Sequence, residues 1–195
     1  MNKVTKPIMI ELPTEFYTER LMIRMPLPGD GEKVFKAINA SITELKPWLP
    51  FAQKQQTLED VEENIREAHV KFLSREDLRL LIFSRETGEL IGCSGLHRIN
   101  WDIPKCEIGY WIDTRYSGKG YMTEAITRIT EYAFKEIKAK RVEICCDEQN
   151  DRSRAVAERL DFTLDAILKN DDLSPDGKQV RNTCIYSKVT DQDNK

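Results

Sequence analysis

The segment Arg115–Gly120, Arg-Tyr-Ser-Gly-Lys-Gly, decides how the rest of the chain is interpreted. It lies between a predicted strand at Cys106–Ile112 and a predicted amphipathic helix at about Met122–Ile137. Its two glycines let the backbone approach a ligand closely and adopt dihedral angles that other residues resist. The first N–H groups of a helix lack partners within it and carry partial positive charge, to which Arg115 and Lys119 add full charges. The segment therefore predicts a binding site for a diphosphate group.

Two other phosphate-binding motifs do not fit this segment. A Walker loop requires a Lys-Ser/Thr pair at a spacing that is missing here, and the dinucleotide motif requires a third glycine where Thr123 stands. A single G-x-G is a weak signal, because a glycine turn that leads into a helix is common without any ligand. Other segments of the chain are needed to decide whether Arg115–Gly120 binds a diphosphate or is a glycine turn without a ligand.

The composition is typical of a folded globular protein. Of the 195 residues, 40% are hydrophobic and 32% are charged, which excludes disorder of the weakly hydrophobic, highly charged kind. The net charge of −3 argues against attraction to nucleic acid or anionic lipid. No apolar run suits a membrane span, and we expect no signal peptide. The length predicts a single domain over residues 1–195, with a core at about 16–189 and a short polar C-terminal tail.

Five cysteines and two histidines limit the redox and metal chemistry of the chain. The odd number of cysteines and the lack of a C-x-x-C spacing argue against a disulfide framework, so we expect reduced thiols in a cytoplasmic protein. Cys145 and Cys146 share a predicted strand and are interpreted as inert core residues. With only His69 and His97 present, no metal site is predicted, and His97 is given a structural role.

Hydrophobic periodicity predicts an α/β architecture. The predicted order is one strand, two helices, three strands, a helix, a strand, a helix and two strands. Asp30 is predicted to cap the first helix, and Thr57 to start the second in a capping box. The predicted strands are Leu21–Arg24, Leu78–Ser84, Glu89–Ile99, Cys106–Ile112, Arg141–Cys146, Thr163–Lys169 and Gln179–Lys188. A strand-helix-strand crossover in the second half requires at least one parallel pair in a mixed sheet.

Motifs spread over most of the chain resemble one family. The R-x-x-G-x-G segment between strand and helix is similar to the acetyl-coenzyme A signature of the GCN5-related N-acetyltransferases (GNAT), and the order of elements is similar to theirs. Four segments resemble the RimJ/RimL-like subgroup of ribosomal-protein N-terminal acetyltransferases: Thr18–Arg24, Leu45–Phe51, Glu107–Ile112 and Asn150–Ser153. The resemblance covers about residues 16–189. It implies the GNAT fold, in which helices flank a twisted mixed sheet whose parallel strands splay apart at the cofactor site.

The resemblance implies that acetyl-CoA binds as co-substrate in this splay. The pantetheine amides would pair with the open strand edge, because unpaired backbone groups need partners. Asn150 would contact the same arm from the other side, and the amides of residues 117–122 would hold the pyrophosphate. The cofactor-binding residues implied in this way are Trp111, Ile112, Arg115, Ser117, Gly118, Lys119, Gly120, Tyr121, Met122, Thr123, Asn150 and Ser153.

Acetyl transfer to an amine needs a neutral amine, a donor for the oxyanion and a proton for the leaving thiolate. A backbone N–H of the splayed strand is the expected oxyanion donor. Glu107 is the leading candidate for the base, acting through water, and it shares a strand face with Gly109 and Trp111. Two alternatives stay open: Glu107 binds the incoming ammonium, or it pairs with a surface cation.

Ser153 matches a serine of the subgroup and is the candidate proton donor for the thiolate, since Ala157 stands where many relatives carry a tyrosine. Its alternative role is that of a helix N-cap. Asp172 aligns with an acidic residue that the subgroup uses near the acceptor amine, and the other interpretation is a solvated loop carboxylate. Asp161 stands where glycine is usual, which leaves the end of the preceding helix open.

The resemblance also places Trp48 and Phe51 at the acceptor groove as substrate-binding residues, together with Glu107. The alternative for the two aromatic residues is a buried anchor for their loop. Tyr110 lies on the strand face opposite to Glu107 and is predicted to belong to the core.

We therefore predict an acetyl-CoA-dependent N-acetyltransferase in which a primary amine attacks the thioester directly. The subgroup favours a protein N-terminal α-amine, typified by a ribosomal protein. The alternatives are a small-molecule amine, such as a polyamine, an amino acid or an aminoglycoside, and a non-catalytic acyl-CoA-binding module. No nucleic acid, membrane or metal partner is expected, and a homodimer is implied by analogy alone.

Overall fold

The computed structural model describes residues 6–190, which form a mixed sheet with helices on both faces. The α-helices are α1 (Gly31–Leu45), α2 (Leu58–Ser74), α3 (Tyr121–Lys135) and α4 (Asp151–Arg159). The strands are β1 (Glu15–Tyr17), β2 (Leu21–Arg24), β3 (Leu78–Ser84), β4 (Leu90–Asn100), β5 (Lys105–Ile112), β6 (Arg141–Asp147), β7 (Thr163–Leu173) and β8 (Val180–Val189). Short 3₁₀ helices lie at Pro7–Met9, Pro50–Gln53 and Thr114–Tyr116. None of the described helices has the length and apolar character needed to cross a membrane. The predicted C-terminal tail lies outside the described range except for Thr190. Residues 1–5, where a signal peptide would begin, also lie outside it.

The strands follow the order β1-β2-β3-β4-β5-β6-β8-β7 across the sheet. Of the neighbouring pairs within residues 6–190, β5 and β6 alone run parallel, because α3 carries the chain back between them. Their pairing starts at Lys105 opposite Arg141 and ends at Glu107 opposite Glu143. Both strands continue beyond that pair, β5 as far as Ile112. Their facing edges are open there, which confirms the predicted splay.

Alternate residues of β3 pack against two different helical layers, as side chains of a strand must. Leu81 and Phe83 contact α1 and α2, whereas Leu80 and Ile82 lie in the core cluster that contains α3. The buried residues of α1 and α2 in the first layer are Val34, Ala37, Ile38, Val61 and Ile65. The buried α3 residues in the second layer are Met122, Ala125, Ile126, Ile129, Tyr132 and Ala133. Both helical stripes confirm the predicted periodicity.

The two predicted helix caps differ in the structure. Thr57 and Asp60 form the capping box of α2: the Asp60 N–H donates to Thr57 Oγ1 over 3.1 Å and the Thr57 N–H donates to Asp60 Oδ2 over 2.8 Å. Asp30 precedes α1 as predicted, but its carboxylate does not cap the helix. It accepts two hydrogen bonds of 2.7 Å from the Arg24 guanidinium instead. Such a charge-assisted, bidentate pair is stronger than a neutral cap.

Two boundaries near the predicted site also differ from the prediction. Strand β7 extends to Leu173, so Asp172 lies in a strand and not in a loop. In the sheet register it stands opposite Arg181 of β8. Helix α4 starts at Asp151, before Ser153. It ends with Asp161 in the left-handed conformation at a φ of 56°, so Asp161 takes the conformation that glycine would supply. Strand β1 was not predicted, because three residues are too few to show a period.

Candidate active site

The turn between β5 and α3 forms a loop whose N–H groups are open to a ligand. Gly118 and Gly120 have φ angles of 75° and 79°, in the left-handed region that favours glycine. No described residue accepts a hydrogen bond from the backbone N–H groups of residues 118–123. The Ser117 N–H donates to the Thr114 carbonyl over 3.2 Å, so the open run begins one residue later than predicted. These donors stand at the start of α3, where they can hold a diphosphate through the backbone.

The exposed Arg115 side chain is bound to a buried carboxylate of the same loop. Its guanidinium donates to both carboxylate oxygens of Asp113, with Nη2 2.5 Å from Oδ2 and Nε 3.0 Å from Oδ1. Asp113 is fully buried and also accepts from the Arg115 N–H over 3.0 Å. The structure thus pairs the Arg115 charge with Asp113, where the sequence analysis directed it at a ligand. Among the described residues Lys119 has no ion pair; its Nζ donates to the Arg115 carbonyl over 3.1 Å and lies 5.5 Å from the Tyr116 ring centroid.

Two arginines that the sequence analysis did not assign to the site lie beside the loop. Arg20 Nη1 donates to the Lys119 carbonyl over 3.1 Å, and its guanidinium lies 4.3 Å from the Tyr121 ring centroid. Arg159 of α4 donates to Thr123 Oγ1 over 3.1 Å. Arg20 belongs to Thr18–Arg24, a segment that carries the family resemblance, so the sequence contained a signal from which its place in the site could have been predicted. The contact of Arg159 depends on how α4 packs against α3, and no local pattern predicts it.

Asn150 and Ser153 lie at the start of α4, facing β5. The Asn150 side-chain oxygen accepts from the Ser153 N–H over 3.1 Å, so Asn150 is the N-cap and the capping role considered for Ser153 is wrong. The Ser153 hydroxyl donates to the Tyr110 hydroxyl over 3.0 Å, and that hydroxyl donates to the Ser153 carbonyl over 2.9 Å. Burial raises the pKa of Tyr110, so its phenol stays protonated and remains a donor. Tyr110 packs partly against the core, as predicted, but its hydroxyl connects the splayed strand to Ser153.

A cavity of about 880 Å³ lies beside the β7–β8 hairpin and is called the hairpin cavity. Residues from several elements line it, among them Trp48, Glu107, Cys145, Asp172 and Arg181. The structure therefore brings together Trp48, Glu107 and Asp172, which the sequence analysis assigned to the acceptor side. Asp171 and Asp172 take part in no ion pair within residues 6–190, so their charges give the cavity a negative potential that favours cationic ligands.

The Glu107 carboxylate is bound by an arginine of the neighbouring strand. Its Oε2 accepts from Arg98 Nη1 over 2.7 Å; the Glu107 side chain is 17% exposed and that of Arg98 is 79% exposed. Arg98 has a φ of 50° and lies at a register shift of β4, a β-bulge that turns its side chain toward Glu107. The interpretation of Cys145 as a core residue is wrong, because it lines the hairpin cavity beside Glu107. Burial raises the pKa of the Cys145 thiol to about 12, so it stays a neutral thiol.

Arg181 fixes the Trp48 ring at the edge of the hairpin cavity. Its guanidinium lies 5.3 Å from the ring centroid, and Nη1 donates to the Pro47 carbonyl over 3.2 Å. The same nitrogen is 2.8 Å from Asp147 Oδ2 at the end of β6. The loop that carries Trp48 is thus tied to β6 and β8, which keeps this wall of the cavity in place.

Phe51 faces a different space. It lines a cavity of about 480 Å³ between the α1–α2 layer and the sheet, called the helix cavity. Its ring centroid lies 6.2 Å from that of Trp111, and His97 lines the same cavity. Trp48 and Phe51, predicted to wall one groove, are therefore divided between two cavities that flank β5.

Comparison with known proteins assigns the chain to a family. The acetyltransferase (GNAT) domain matches residues 20–163. The chain belongs to the GNAT family. This GNAT chain is 34% identical over 148 residues to the putative ribosomal N-acetyltransferase YdaF of Bacillus subtilis (strain 168), a match that covers 74% of the chain and 78% of YdaF. It is 27% identical over 174 residues to the ribosomal-protein-serine acetyltransferase of Escherichia coli (strain K12), covering 89% and 95% of the two proteins.

A solved GNAT structure has the same fold. It is the microcin C7 self immunity acetyltransferase MccE in complex with acetyl-CoA and AMP, which matches with a TM-score of 0.81 and 25% identity over 89% of this chain and 94% of that one. Fold and relatives together confirm the predicted GNAT architecture, the RimJ/RimL-like subgroup and the class of enzyme, an N-acetyltransferase.

Proposed function

We propose that this GNAT enzyme transfers the acetyl group of acetyl-CoA to the N-terminal α-amine of a ribosomal protein in the cytoplasm. The observation that carries the proposal is the open run of N–H groups at residues 118–123 beside the unpaired edges of β5 and β6. A pyrophosphate supplies acceptors for the open N–H groups, and a pantetheine arm supplies amide partners for the unpaired strand edges. The names of the YdaF and Escherichia coli relatives support a ribosomal acceptor, and the MccE complex supports acetyl-CoA.

On the cofactor side, the loop glycines and the Lys119 cation receive the phosphates. Trp111 and Ile112, on the open part of β5, offer backbone groups to the pantetheine arm. The Asn150 oxygen is used as the helix cap, which leaves its amide nitrogen to donate to the same arm. Ser153 lies one turn away, near the thioester end of the arm.

On the acceptor side, Glu107 and Asp172 hold the ammonium of the incoming N-terminus in the hairpin cavity, against the Trp48 ring. Both carboxylates line that cavity, and Asp172 has no ion pair among the described residues. The Arg98 contact occupies one oxygen of Glu107 and favours this binding role over that of a free base. A cationic N-terminus fits the local negative potential.

The reaction then requires one bond to form and one to break. The neutral amine attacks the carbonyl carbon, a C–N bond forms, and the C–S bond breaks. A backbone N–H on the open part of β5 donates to the oxyanion, and the Ser153 hydroxyl gives its proton to the thiolate. Tyr110, hydrogen-bonded to that hydroxyl, keeps Ser153 in place.

A screen of amine acceptors tests this function. Peptides with ribosomal-protein N-termini, the same peptides with a blocked α-amine but a free lysine, and polyamines are each incubated with acetyl-CoA. A mass gain of one acetyl group on the unblocked peptides alone supports the proposal. Tight acetyl-CoA binding without any transfer would identify a non-catalytic binding module.

A small-molecule amine is the second candidate acceptor. MccE, at 25% identity and a TM-score of 0.81, is named for self immunity to microcin C7 and not for a ribosomal protein. Transfer to polyamines, amino acids or aminoglycosides with no transfer to any peptide would select this candidate.

A further inference from the structure

Asp77 holds the His97 ring against a pair of glycines. His97 Nδ1 lies 2.6 Å from Asp77 Oδ2. Gly95 of β4 is directly opposite Gly109 of β5. A Cβ on Gly95 would lie 2.8 Å from His97 Cε1, and a Cβ on Gly109 would lie 3.2 Å from His97 Cδ2. The ring therefore fills the space that a side chain at Gly109 would need, and at Gly95 the backbone of Leu78 and Arg79, 2.9 Å away, excludes a side chain together with the ring.

The second ring nitrogen of His97 is left open. No hydrogen bond to Nε2 exists within the part of the chain that the structure describes. A Cβ on Gly109 would lie 3.4 Å from Nε2, which puts this nitrogen beside the first stretch of β5 that has lost its β6 partner. When Nδ1–H donates to a carboxylate, the neutral imidazole has its lone pair on Nε2. The helix cavity gives that lone pair access to a ligand.

We propose that His97, oriented by Asp77, accepts the proton that the acceptor ammonium must lose before it attacks the thioester. The proposal rests on the proposed function. His97 is the direct cross-strand partner of Glu107 and shares its sheet face. Cβ atoms of such partners lie about 4.5–5.5 Å apart, so the helix cavity, which His97 lines, and the hairpin cavity, which Glu107 lines, meet at this pair. The structural role predicted for His97 accounts for the Asp77 contact but not for the open nitrogen.

The proton transfers balance in this sequence. One ammonium proton moves to His97 Nε2, and the freed lone pair of the amine forms the C–N bond. After the C–N bond has formed, the nitrogen loses a second proton, which passes through water to the Ser153 oxygen and replaces the proton that Ser153 gives to the thiolate when the C–S bond breaks. The His97 imidazolium then releases its proton to solvent.

Asp77 contacts the ring and Glu107 is its cross-strand partner, held in turn by Arg98. Arg79 of β3 and three carboxylates of α2 line the same helix cavity as the ring: Asp60, Glu63 and Glu67. Carboxylates predominate in this set, so the local potential favours a cationic ammonium near the ring.

The test compares the same substitution at both histidines of the chain. His97→Asn retains a donor near Nδ1 for Asp77 and removes Nε2, and His69→Asn, on α2, is the matched control. We expect kcat/KM for the amine to fall at least about 100-fold at pH 7 in His97→Asn, since a general base contributes 10²–10⁴-fold. The loss should shrink as the pH rises above about 8, where the α-amine is already neutral. His69→Asn should have the same kcat/KM for the amine as the wild type at every pH.

Nuclear magnetic resonance supplies a readout that a purely structural role would not affect. The imidazole signal that disappears in His97→Asn should titrate with the same apparent pKa as the acidic limb of the wild-type kcat/KM profile. Asp77→Asn, which keeps the side-chain shape, should lower kcat/KM about 10-fold, and it replaces His97→Asn if that variant fails to fold.

A loss in His97→Asn that is equal at every pH, or no loss at all, would overturn the base role while leaving the acetyltransferase activity intact. Failure of the wild type to acetylate any amine would instead overturn the proposed function itself. Acetyl-CoA affinity, measured by calorimetry, should be unchanged in all three variants.

Discussion

Glu107 and Glu143 face each other as the last residues that pair β5 with β6. Like charges directly opposite each other destabilise a sheet, and here each carboxylate has its own arginine: Arg98 Nη1 lies 2.7 Å from Glu107, and Arg141 Nε lies 2.5 Å from Glu143. The sheet therefore opens at a pair of carboxylates. An ammonium that enters the hairpin cavity, which both of them line, meets them where the unpaired edges of β5 and β6 begin.

Gly118→Ala tests the phosphate loop. Gly118 has a φ of 75°, and a Cβ there would meet no atom within 4 Å, so the substitution acts through backbone strain alone. We expect the strain, about 1–2 kcal/mol in the left-handed region, to be relieved by a shift of the loop that raises the Kd for CoA at least about 10-fold. Isothermal calorimetry measures the Kd.

Gly177→Ala is the matched control, because Gly177 has a φ of 72° and equally open surroundings but lies in the β7–β8 turn. Both variants should lose similar thermal stability, and only Gly118→Ala should bind CoA more weakly. Equal CoA affinity in the two variants would show that the loop does not contact the phosphates.

Glu107→Gln tests the binding role of this carboxylate. Removing its charge should raise KM for the peptide amine about 10-fold, since charge-assisted hydrogen bonds contribute about 1.5–3 kcal/mol, while KM for acetyl-CoA stays constant. Arg98→Gln removes the competing cation and should leave the peptide KM unchanged or lower it. Steady-state kinetics with each substrate varied in turn measure both constants. An increase of the acetyl-CoA KM alone would contradict the assignment.

Ser153→Ala tests the proton donor for the thiolate. The variant should lose about 10–100-fold in kcat, within the range of general acid catalysis, with little change in CoA affinity. Ser153→Thr keeps the hydroxyl and should retain most activity. Tyr110→Phe removes the hydrogen-bond partner of that hydroxyl, and its kcat should lie between those of Ser153→Ala and Ser153→Thr. A full rate in Ser153→Ala, followed by thiol release, would rule the hydroxyl out as the acid.

Glu62 links stability to pH. It accepts hydrogen bonds from the N–H groups of Gly29 over 2.8 Å and Gly31 over 3.0 Å, and from Arg66 Nε over 2.8 Å. These bonds lower the pKa of Glu62 below its usual 4.5. Because the folded-state pKa is the lower one, the stabilisation is complete above pH 4.5 and is lost as the pH falls through the folded-state value.

Glu62→Gln should therefore reduce the free energy of unfolding by about 1 kcal/mol at pH 7 and flatten its decline in acid. Glu63→Gln, an exposed neighbour on α2, should change neither quantity. Urea unfolding between pH 3 and 7 provides the measurement, and parallel acid profiles for wild type and Glu62→Gln would contradict the linkage.

Features that depend on adjacent residues were predictable from the chain alone. The capping box at Thr57, the apolar stripe of α3 and the glycine loop at residues 118–120 each follow from dihedral preferences or from hydrogen bonds that reach three or four residues. The parallel pair β5–β6 was predictable for the same reason, since a helix between two strands requires a crossover. Asp30 shows where such local prediction fails. Its carboxylate was predicted to cap α1, but it binds the Arg24 guanidinium of β2 instead.

The chemistry of the site depended on strand register and packing. His97 faces Glu107 and lies over Gly95 and Gly109 only because β4 and β5 pair in one register, and a slip of one residue would turn the ring to the opposite face. Register is set by the whole buried sheet and by the bulge at Arg98, which no short window of sequence contains. The amino-acid sequence thus determined which ligand-binding loop this protein has, and the tertiary structure decided which distant side chains meet beside it, because those contacts join segments whose separation along the chain carries no local signal.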